Sequence, residues 1–457
     1  MRRLVVIGGG ISGLAAAWAG RAARKPTGGL EITVLESGPD VGGAAQSIAR
    51  DGWLAEAGPN GFLSGSPAID RLIDAADLKD QLLPANTAAA RRYIYWRGRI
   101  RRVTPNPFGL MRAGLLSPVG ALRLLLELGV SRRPGADDES IDEFVVRRFG
   151  AEAAERLARP MTLGVFAGDA RALSLPAAFP QLAALERDYG SVIRGMVARR
   201  GSGQRGKLTS FAGGMAVLPR ELARRGRFDV SCNAPVNAIS TADGQWRVHV
   251  TGREAPLAAD AVVVATGARA ASQLIRSIDP GAAAELAAIE APAVSVVALG
   301  YGPEASPRIP VGFGVLIARD NGFRTLGNLW ESQIFPGRAP AGHTLIRVLY
   351  GGGADPAAGA LDHDELATLA RAEVRRLYGL EHDPIFEEVI RWPQAIPQYT
   401  IGHGARVARI GQAMASHPGL FIAGAALRGV ALPAAAAAGM EAGERAAALL
   451  ASEPSRG

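Results

Sequence analysis

The chain has 457 residues, 48% hydrophobic and 21% charged, so it is long enough to bury large cores and too apolar to be mainly disordered. Its 51 basic residues outnumber 43 acidic ones, for a formal charge of +8, and it holds one cysteine, Cys232. These counts exclude a disulfide framework and a cysteine-based metal or iron–sulfur site, and the six histidines never fall at metal-ligand spacing, so no metal is expected. Lysine occurs only at Lys25, Lys79 and Lys207, aromatic residues are 6%, and no recognition motif accompanies the arginines; no nucleic-acid partner is expected. At about 150 residues per domain the length suggests roughly three units.

Arg2 and Arg3 precede a run without acids or bases, Leu4 to Gly20, that has the outline of a signal peptide. Gly8, Gly9, Gly10 and Gly13 interrupt it and no convincing cleavage site follows. A second such run, Ile410 to Leu427, is broken at His417-Pro418-Gly419. Neither reads as a membrane span, and a cytoplasmic location is expected.

Leu4-Val5-Val6-Ile7 reads as a buried parallel strand, followed by Gly8-Gly9-Gly10-Ile11-Ser12-Gly13 and a helix beginning at Leu14. Gly8 permits the tight turn, Gly10 lets backbone approach a pyrophosphate, and Gly13 allows close helix–strand packing, with the helix N-terminus facing the phosphates. A second strand, Ile32-Thr33-Val34-Leu35, ends at Glu36, a carboxylate placed for the hydroxyls of an adenosine ribose. Gly42-Gly43 and Glu56-Ala57-Gly58-Pro59-Asn60-Gly61 follow. A second glycine pair lying along the pyrophosphate suits an extended FAD rather than NAD.

Residues 104 to 200 read as mainly helical. Within them Phe108 to Leu128 mixes leucines with Arg112 and Arg123, flanked by Arg97, Arg99, Arg101, Arg102, Arg132 and Arg133. Such a stretch suits either a helix packed on its neighbours or one resting on an anionic bilayer. Asp229 to Val250 reads as paired strands and Asp260 to Gly267 as a further strand. Residues 271 to 400 read as a mixed α/β unit, with strands at Ser295–Gly300, Gly314–Ile317 and Leu345–Leu349 and a helix over Leu361–Tyr378 whose acids precede its bases. Leu420 to Gly424 is a strand entering a turn. Gly429-Val430-Ala431-Leu432-Pro433 then leads into a helix from Ala434 to Leu450, whose dipole favours negative charge on the N1–C2=O edge of a reduced flavin.

From Gly8 to Gly443 the chain resembles the FAD-dependent protoporphyrinogen oxidases, within the amine-oxidase-like flavoproteins. Besides the dinucleotide loop, the matching stretches are Glu56 to Asn60, Pro160-Met161-Thr162-Leu163-Gly164-Val165-Phe166-Ala167-Gly168-Asp169, Phe211 to Met215, Gly312 to Leu316, Phe335 to Pro340 and Pro397-Gln398-Tyr399-Thr400-Ile401-Gly402-His403. The chain departs from the family pattern at Asp40, where an arginine is usual, at Ala44, where a long side chain is usual, and at Ala423-Gly424-Ala425-Ala426-Leu427, where A-G-N-A-Y is usual.

The resemblance implies an α/β fold with a discontinuous Rossmann-like FAD-binding domain (1–88, 204–270, 405–457), a mixed α/β substrate domain (89–103, 271–404) and a helical membrane-contact domain (104–203). It implies FAD contacts from Gly8, Gly9, Gly10, Ile11, Ser12 and Gly13, from Glu36 and Ser37, and from Gly43 and Ala44. It adds Gly58, Pro59, Asn60 and Gly61, Val236 beside the adenine, and Trp392, Ala425, Val430, Ala431 and Leu432 toward the flavin. For the substrate it implies a propionate paired with Arg92, a cavity lined by Gly164, and Leu316 and Phe335 against the macrocycle. The implied activity is oxygen-dependent, six-electron oxidation of protoporphyrinogen IX to protoporphyrin IX in haem or chlorophyll synthesis, driven by the flavin with no protein acid or base. Its rivals are the same chemistry on coproporphyrinogen III and, from another class, a non-catalytic flavin-binding membrane scaffold. An amine oxidase or carotenoid desaturase is more distant; an amine oxidase is expected to show an aromatic cage around its flavin, and none is identifiable. The implied partners are a porphyrinogen, dioxygen, the cytoplasmic face of the inner membrane as a peripheral contact, a second copy in a homodimer, and a chelatase receiving the product.

Overall fold

A computed structural model describes residues 1–23, 29–131, 138–199, 206–319 and 321–452. Lys25, Arg132 and Arg133 lie outside them. Five parallel strands carry the glycine loop, in the order Asp229–Ser231, Leu30–Leu35, Arg2–Ile7, Ala261–Val264 and Leu420–Ile422. Their apolar runs are buried on both faces, as a parallel sheet requires. Leu4, Val6, Val34 and Val263 face the helices Ile11–Ala22 and Leu432–Ser452. Val5, Ile7, Val262 and Val264 face an antiparallel meander, Val236–Ala242, Gln245–Val250 and Leu257–Ala259, and the helices Ala268–Ile275 and Pro280–Ala287. The paired strands expected over Asp229 to Val250 are therefore split. Only Val236–Ala242 pairs with Gln245–Val250, whereas Asp229–Ser231 lies parallel to Thr33–Leu35.

Two helices from opposite ends of the chain meet over this sheet at backbone distance. A Cβ on Gly439 would lie 2.0 Å from the Ser12 carbonyl oxygen, and one on Gly443 2.0 Å from that of Ala16. Ser12 Oγ donates to the Ala435 carbonyl at 2.8 Å. The same closeness recurs below, where a Cβ on Gly13 would lie 1.8 Å from the Gly8 oxygen.

A seven-stranded sheet runs in the order Phe386–Trp392, Val294–Tyr301, Thr344–Gly351, Gly327–Trp330, Gly314–Ile317, Arg92–Trp96, Arg99–Val103. One face, with Val297, Tyr301, Val315, Trp330, Val348 and Tyr350, is sealed by the helix His363–Tyr378. That helix starts at a capping box between Asp362 and Glu365 and stops at Gly379, in the left-handed region at φ 65°. The stretch Phe108 to Leu128 is two short helices and a tight turn, Pro107–Arg112, Pro118–Leu125 and Leu126–Gly129, because Ser117 and Pro118 start a new helix. Arg123 is not a solvated charge; it donates to the carbonyls of Arg147 and Arg148. Beneath it Arg148 is wholly buried, 3.0 Å from Glu127.

Gly439→Val forces a branched side chain into backbone and is expected to lower the unfolding free energy by at least about 1–3 kcal/mol. Gly411→Ala, in the helix His403–Ala415 with nothing within 4 Å, is expected to raise it by about 0.5–1 kcal/mol. Urea denaturation of both variants checks the contrast, and equal effects would contradict the packing described.

Candidate active site

The dinucleotide loop and the second glycine pair face each other. Gly42 N donates to the Gly9 carbonyl at 2.9 Å, and a Cβ on Gly43 would lie 3.3 Å from Gly10 Cα. The Glu36 carboxylate accepts the N–H groups of Gly9 and Gly38, each at 2.7 Å, and the Ser37 hydroxyl at 3.1 Å. The Glu36 carbonyl accepts from Ala234 N, which brings the start of the Val236 strand beside it. The backbone N–H groups of Gly10 and Ser12 have no acceptor among the described residues, which leaves donors free at the start of this helix. A side chain at Gly10 or Gly43 would fill this cradle, so it fits the pyrophosphate of FAD. Asp40 is neutralised by Arg220, whose Nε donates to it at 2.9 Å from the helix Val217–Arg225.

The loop Gly58-Pro59-Asn60-Gly61 lies on the same side, its carbonyls held from below. Arg347 donates to the carbonyls of Glu56 at 2.9 Å and Gly58 at 2.6 Å, and Trp392 Nε1 donates to that of Ala57 at 2.8 Å. Trp392 thus anchors the loop. Gly58 must be glycine, because its Cβ would meet the Ala44 oxygen at 2.1 Å. Under the loop sit four buried charges: Glu56 with Arg338 at 3.3 Å, and Arg347 with Glu331 at 2.9 Å. Burial pushes Glu56 up to about 7, against Ser47, which donates at 2.6 Å, Arg338, and the Met215 N–H; Glu331 pushes the same way as burial.

Strand register gathers several of the residues expected to face a substrate. Arg92 pairs with Gly314, Gly314 with Leu329, Leu316 with Gly327, and Gly327 with Leu349. Arg92, Leu316, Leu329 and Leu349 therefore share the face of the seven-stranded sheet that the long helix leaves open, and the three leucines are half-buried. Across from it the helix Arg159–Phe166 presents exposed Met161, Gly164 and Val165. A Cβ on Gly164 would lie 2.5 Å from Leu316 Cδ2, so these two expected residues meet. Arg92 is exposed, lies over the Phe313 ring at 4.6 Å, and has no carboxylate partner among the described residues. Phe335 is a correction. It is wholly buried, in a core with Ala89 and Ile334, and offers no surface to a macrocycle. Leu329 and Leu349, absent from the expected set, occupy the open face instead; the strand Thr344–Gly351 is apolar on both faces, so its sequence pattern does not mark which face opens.

The turn Ala423 to Leu427 and the start of the last helix close the cleft. Tyr399 donates its hydroxyl to the Ala425 carbonyl, and His403 Nε2 lies 3.2 Å from the Leu427 carbonyl. The rings of Tyr399 and His403 stack at 4.2 Å. Burial holds His403 below the usual histidine range, so its neutral form with the proton on Nε2 serves that carbonyl. Gln398 donates to the Phe166 carbonyl at 2.9 Å, fixing the end of the Gly164 helix. The N–H groups of Val430, Ala431 and Leu432 have no acceptor among the described residues and start a helix that runs to Ser452. That donor row fits the anionic edge of a flavin.

Residues 11–451 match the family described as flavin containing amine oxidoreductase. The coproporphyrinogen III oxidase of Bacillus subtilis (strain 168) is 30% identical over 455 residues, covering 94% of this chain and 95% of its own. The chloroplastic protoporphyrinogen oxidase of Oryza sativa subsp. japonica is 32% identical over 461 residues, covering 94% and 85%. A crystal structure from Exiguobacterium sp. 255-15, provisionally assigned as a protoporphyrinogen oxidase, superposes with a TM-score of 0.86 at 26% identity and covers 98% of this chain and 99% of its own.

Glu56 keeps in the folded state a proton that an unperturbed carboxyl loses near 4.5. Its contribution to stability is complete below that pH and is lost as pH rises through about 7. The loss is about 3 kcal/mol, since each tenfold change in proton affinity is worth about 1.4 kcal/mol. Glu56→Gln is expected to abolish this slope, so that between pH 5 and 8 its unfolding free energy gains on that of the wild type. Urea denaturation across that range tests this; parallel curves would contradict it.

Proposed function

The chain belongs to the flavin containing amine oxidoreductases, and from that premise we propose that it oxidises protoporphyrinogen IX to protoporphyrin IX, with FAD as cofactor and dioxygen as final acceptor. FAD supplies the two-electron acceptor that dioxygen restores. The observation that carries the proposal is the open apolar sheet face of Leu316, Leu329 and Leu349, opposite Gly164 and bordered by the unpaired Arg92. A flat tetrapyrrole needs two such walls and a cationic edge. Arg92 holds a propionate, a charge-assisted pair worth about 1.5–3 kcal/mol. Each methylene bridge lies between electron-rich pyrroles, so loss of hydride leaves a delocalised cation and needs no protein acid or base. The chain orients the ring and excludes water. Three two-electron rounds complete the porphyrin.

A second reading, the same chemistry on the tetracarboxylate coproporphyrinogen III, is favoured by the Bacillus subtilis relative. Peripheral attachment to an anionic bilayer is also proposed. Among the described residues no helix is long and apolar enough to cross a membrane. Phe108, Val119, Leu122, Leu125, Leu126 and Leu128 nevertheless expose large apolar side chains on neighbouring helices that also carry Arg112. Six solvated apolar groups on one short stretch support contact with lipid.

Offering the two porphyrinogens separately, with porphyrin fluorescence and oxygen uptake recorded together, is expected to show faster protoporphyrin formation. Faster coproporphyrin formation would install the second reading, and no porphyrin from either, with the flavin still yellow under anaerobic substrate, would leave a non-catalytic scaffold. Arg92→Ala is expected to raise KM about tenfold, near 1.4 kcal/mol, at unchanged flavin content; lost FAD with unchanged KM would contradict its role. Flotation with anionic vesicles is expected to carry the wild type but not Leu122→Asp/Leu126→Asp, and equal flotation would exclude lipid contact through these helices.

A further inference from the structure

The cleft does not end at Leu316 and Leu349. It continues into a hollow of about 530 Å³, lined by Trp96 and Ala318 from the sheet and by Pro160 and Leu163 from the helix Arg159–Phe166. Strand register sets the place of this hollow. Arg92 pairs with Gly314 and Tyr95 with Ile317, so Arg92 stands at one end of the strand pair and Trp96, Arg97 and Ala318 at the other. Five residues of extended chain separate Arg92 from Arg97, about 16 Å. Between the two ends lies the apolar floor of Leu316 and Leu349.

Both ends are cationic. At the near end Arg92 is exposed over the Phe313 ring. Five arginines line the far end, Arg97, Arg156, Arg159, Arg171 and Arg319, against two acids, Glu155 and Asp169. Asp142 takes the Nε and Nη2 of Arg159 at 2.7 and 3.1 Å, and Glu152 lies 2.6 Å from Arg156, which braces both guanidinium groups. The buried Nε of Arg156 has no hydrogen-bond acceptor. Arg97 and Arg171 are exposed and have no carboxylate partner among the described residues. Arg97 also holds its place at a cost: its φ of 48° lies in the left-handed region, where asparagine or glycine sits with less strain. Asn321 Oδ1 accepts its backbone N–H at 3.0 Å and fixes the turn at the rim.

The two candidate porphyrinogens differ at the edge that meets this far end. Protoporphyrinogen IX carries its two propionates on neighbouring pyrroles, so with that edge on Arg92 the opposite edge presents vinyl groups. Coproporphyrinogen III carries a propionate on every pyrrole, so both edges are anionic. A vinyl edge leaves Arg97 and Arg171 in water, whereas a propionate edge gives them planar, charge-assisted pairs. We propose that Arg97 and Arg171, with Arg156 and Arg159 braced beside them, form a second carboxylate subsite of the cleft, which admits the tetracarboxylate as a substrate beside the dicarboxylate. This inference rests on the reading of the cleft as a porphyrinogen site and adds the residues that set its substrate range.

The test titrates FAD-loaded protein with coproporphyrin III and with protoporphyrin IX by fluorescence, and measures KM and kcat on both porphyrinogens. Arg97→Asn/Arg171→Gln is expected to weaken coproporphyrin III binding about tenfold or more and to raise KM for coproporphyrinogen III alike at unchanged kcat. Its protoporphyrin IX binding is expected to change less than twofold. Asparagine suits the turn, a melting curve verifies the fold, and Arg171→Gln alone is expected to show the same selectivity at about threefold. Arg253→Gln/Arg276→Gln, which removes two exposed charges from the cofactor domain, is expected to change neither porphyrin's binding more than twofold. Equal weakening of both porphyrins by the far-end variant, unchanged coproporphyrin III binding, or an equal loss in the cofactor-domain variant would overturn the subsite and leave the porphyrinogen reading standing. If the wild type binds neither porphyrin and oxidises neither porphyrinogen, that reading itself falls and the subsite with it.

Discussion

Backbone lying directly on backbone is the feature around which the cofactor domain is arranged. Gly13 packs on Gly8, and Gly439 and Gly443 pack on the carbonyls of Ser12 and Ala16. These contacts set the first and last helices side by side over one sheet, although hundreds of residues separate them in the chain. Because of that, the glycine loop at one end and the Val430-Ala431-Leu432 donors at the other belong to a single cradle. Dispersion and hydrophobic burial supply the stability, but the absence of Cβ atoms decides the distance.

The cradle itself is held by polar groups that face away from it. Arg347 and Trp392 take the carbonyls of Glu56, Ala57 and Gly58, while Tyr399 and His403 take those of Ala425 and Leu427. This explains how the turn keeps its place although it lacks the side chains usual in the resembled family: its position is fixed from the rear through carbonyls, which any residue supplies. The acid at Asp40 is tolerated for a related reason, since Arg220 neutralises it from a neighbouring helix. Placing charges such as Glu56 and Arg338 in the interior costs solvation, and the network of donors around them offsets it only in part, hence the high proton affinity of Glu56.

The seven-stranded sheet divides labour between its faces. One is sealed by the helix His363–Tyr378, and the other keeps half-buried leucines opposite Gly164. A strand with both faces useful cannot show simple apolar and polar alternation, because the cleft face is as apolar as the core face. Phe335 and Leu316 are equally apolar, and hydrophobicity alone cannot tell a wall of a cleft from a packed interior.

Features that depend on neighbours along the chain were legible before any fold was known. The glycine loop and its Glu36, the capped helix His363–Tyr378, the strands around Leu316 and Leu345, and the family resemblance are all local signals, and each stands in the structure close to where the chain announces it. Register and depth came from the folded molecule alone. It placed Leu329 and Leu349 on the open face and Phe335 in a core. It moved Asp229–Ser231 into the parallel sheet, broke the Phe108–Leu128 stretch into separate helices, and turned Gln398, Tyr399 and His403 into struts. A side chain's surroundings are set by which strand lies beside its own and which helix covers it, and those neighbours come from anywhere in the chain.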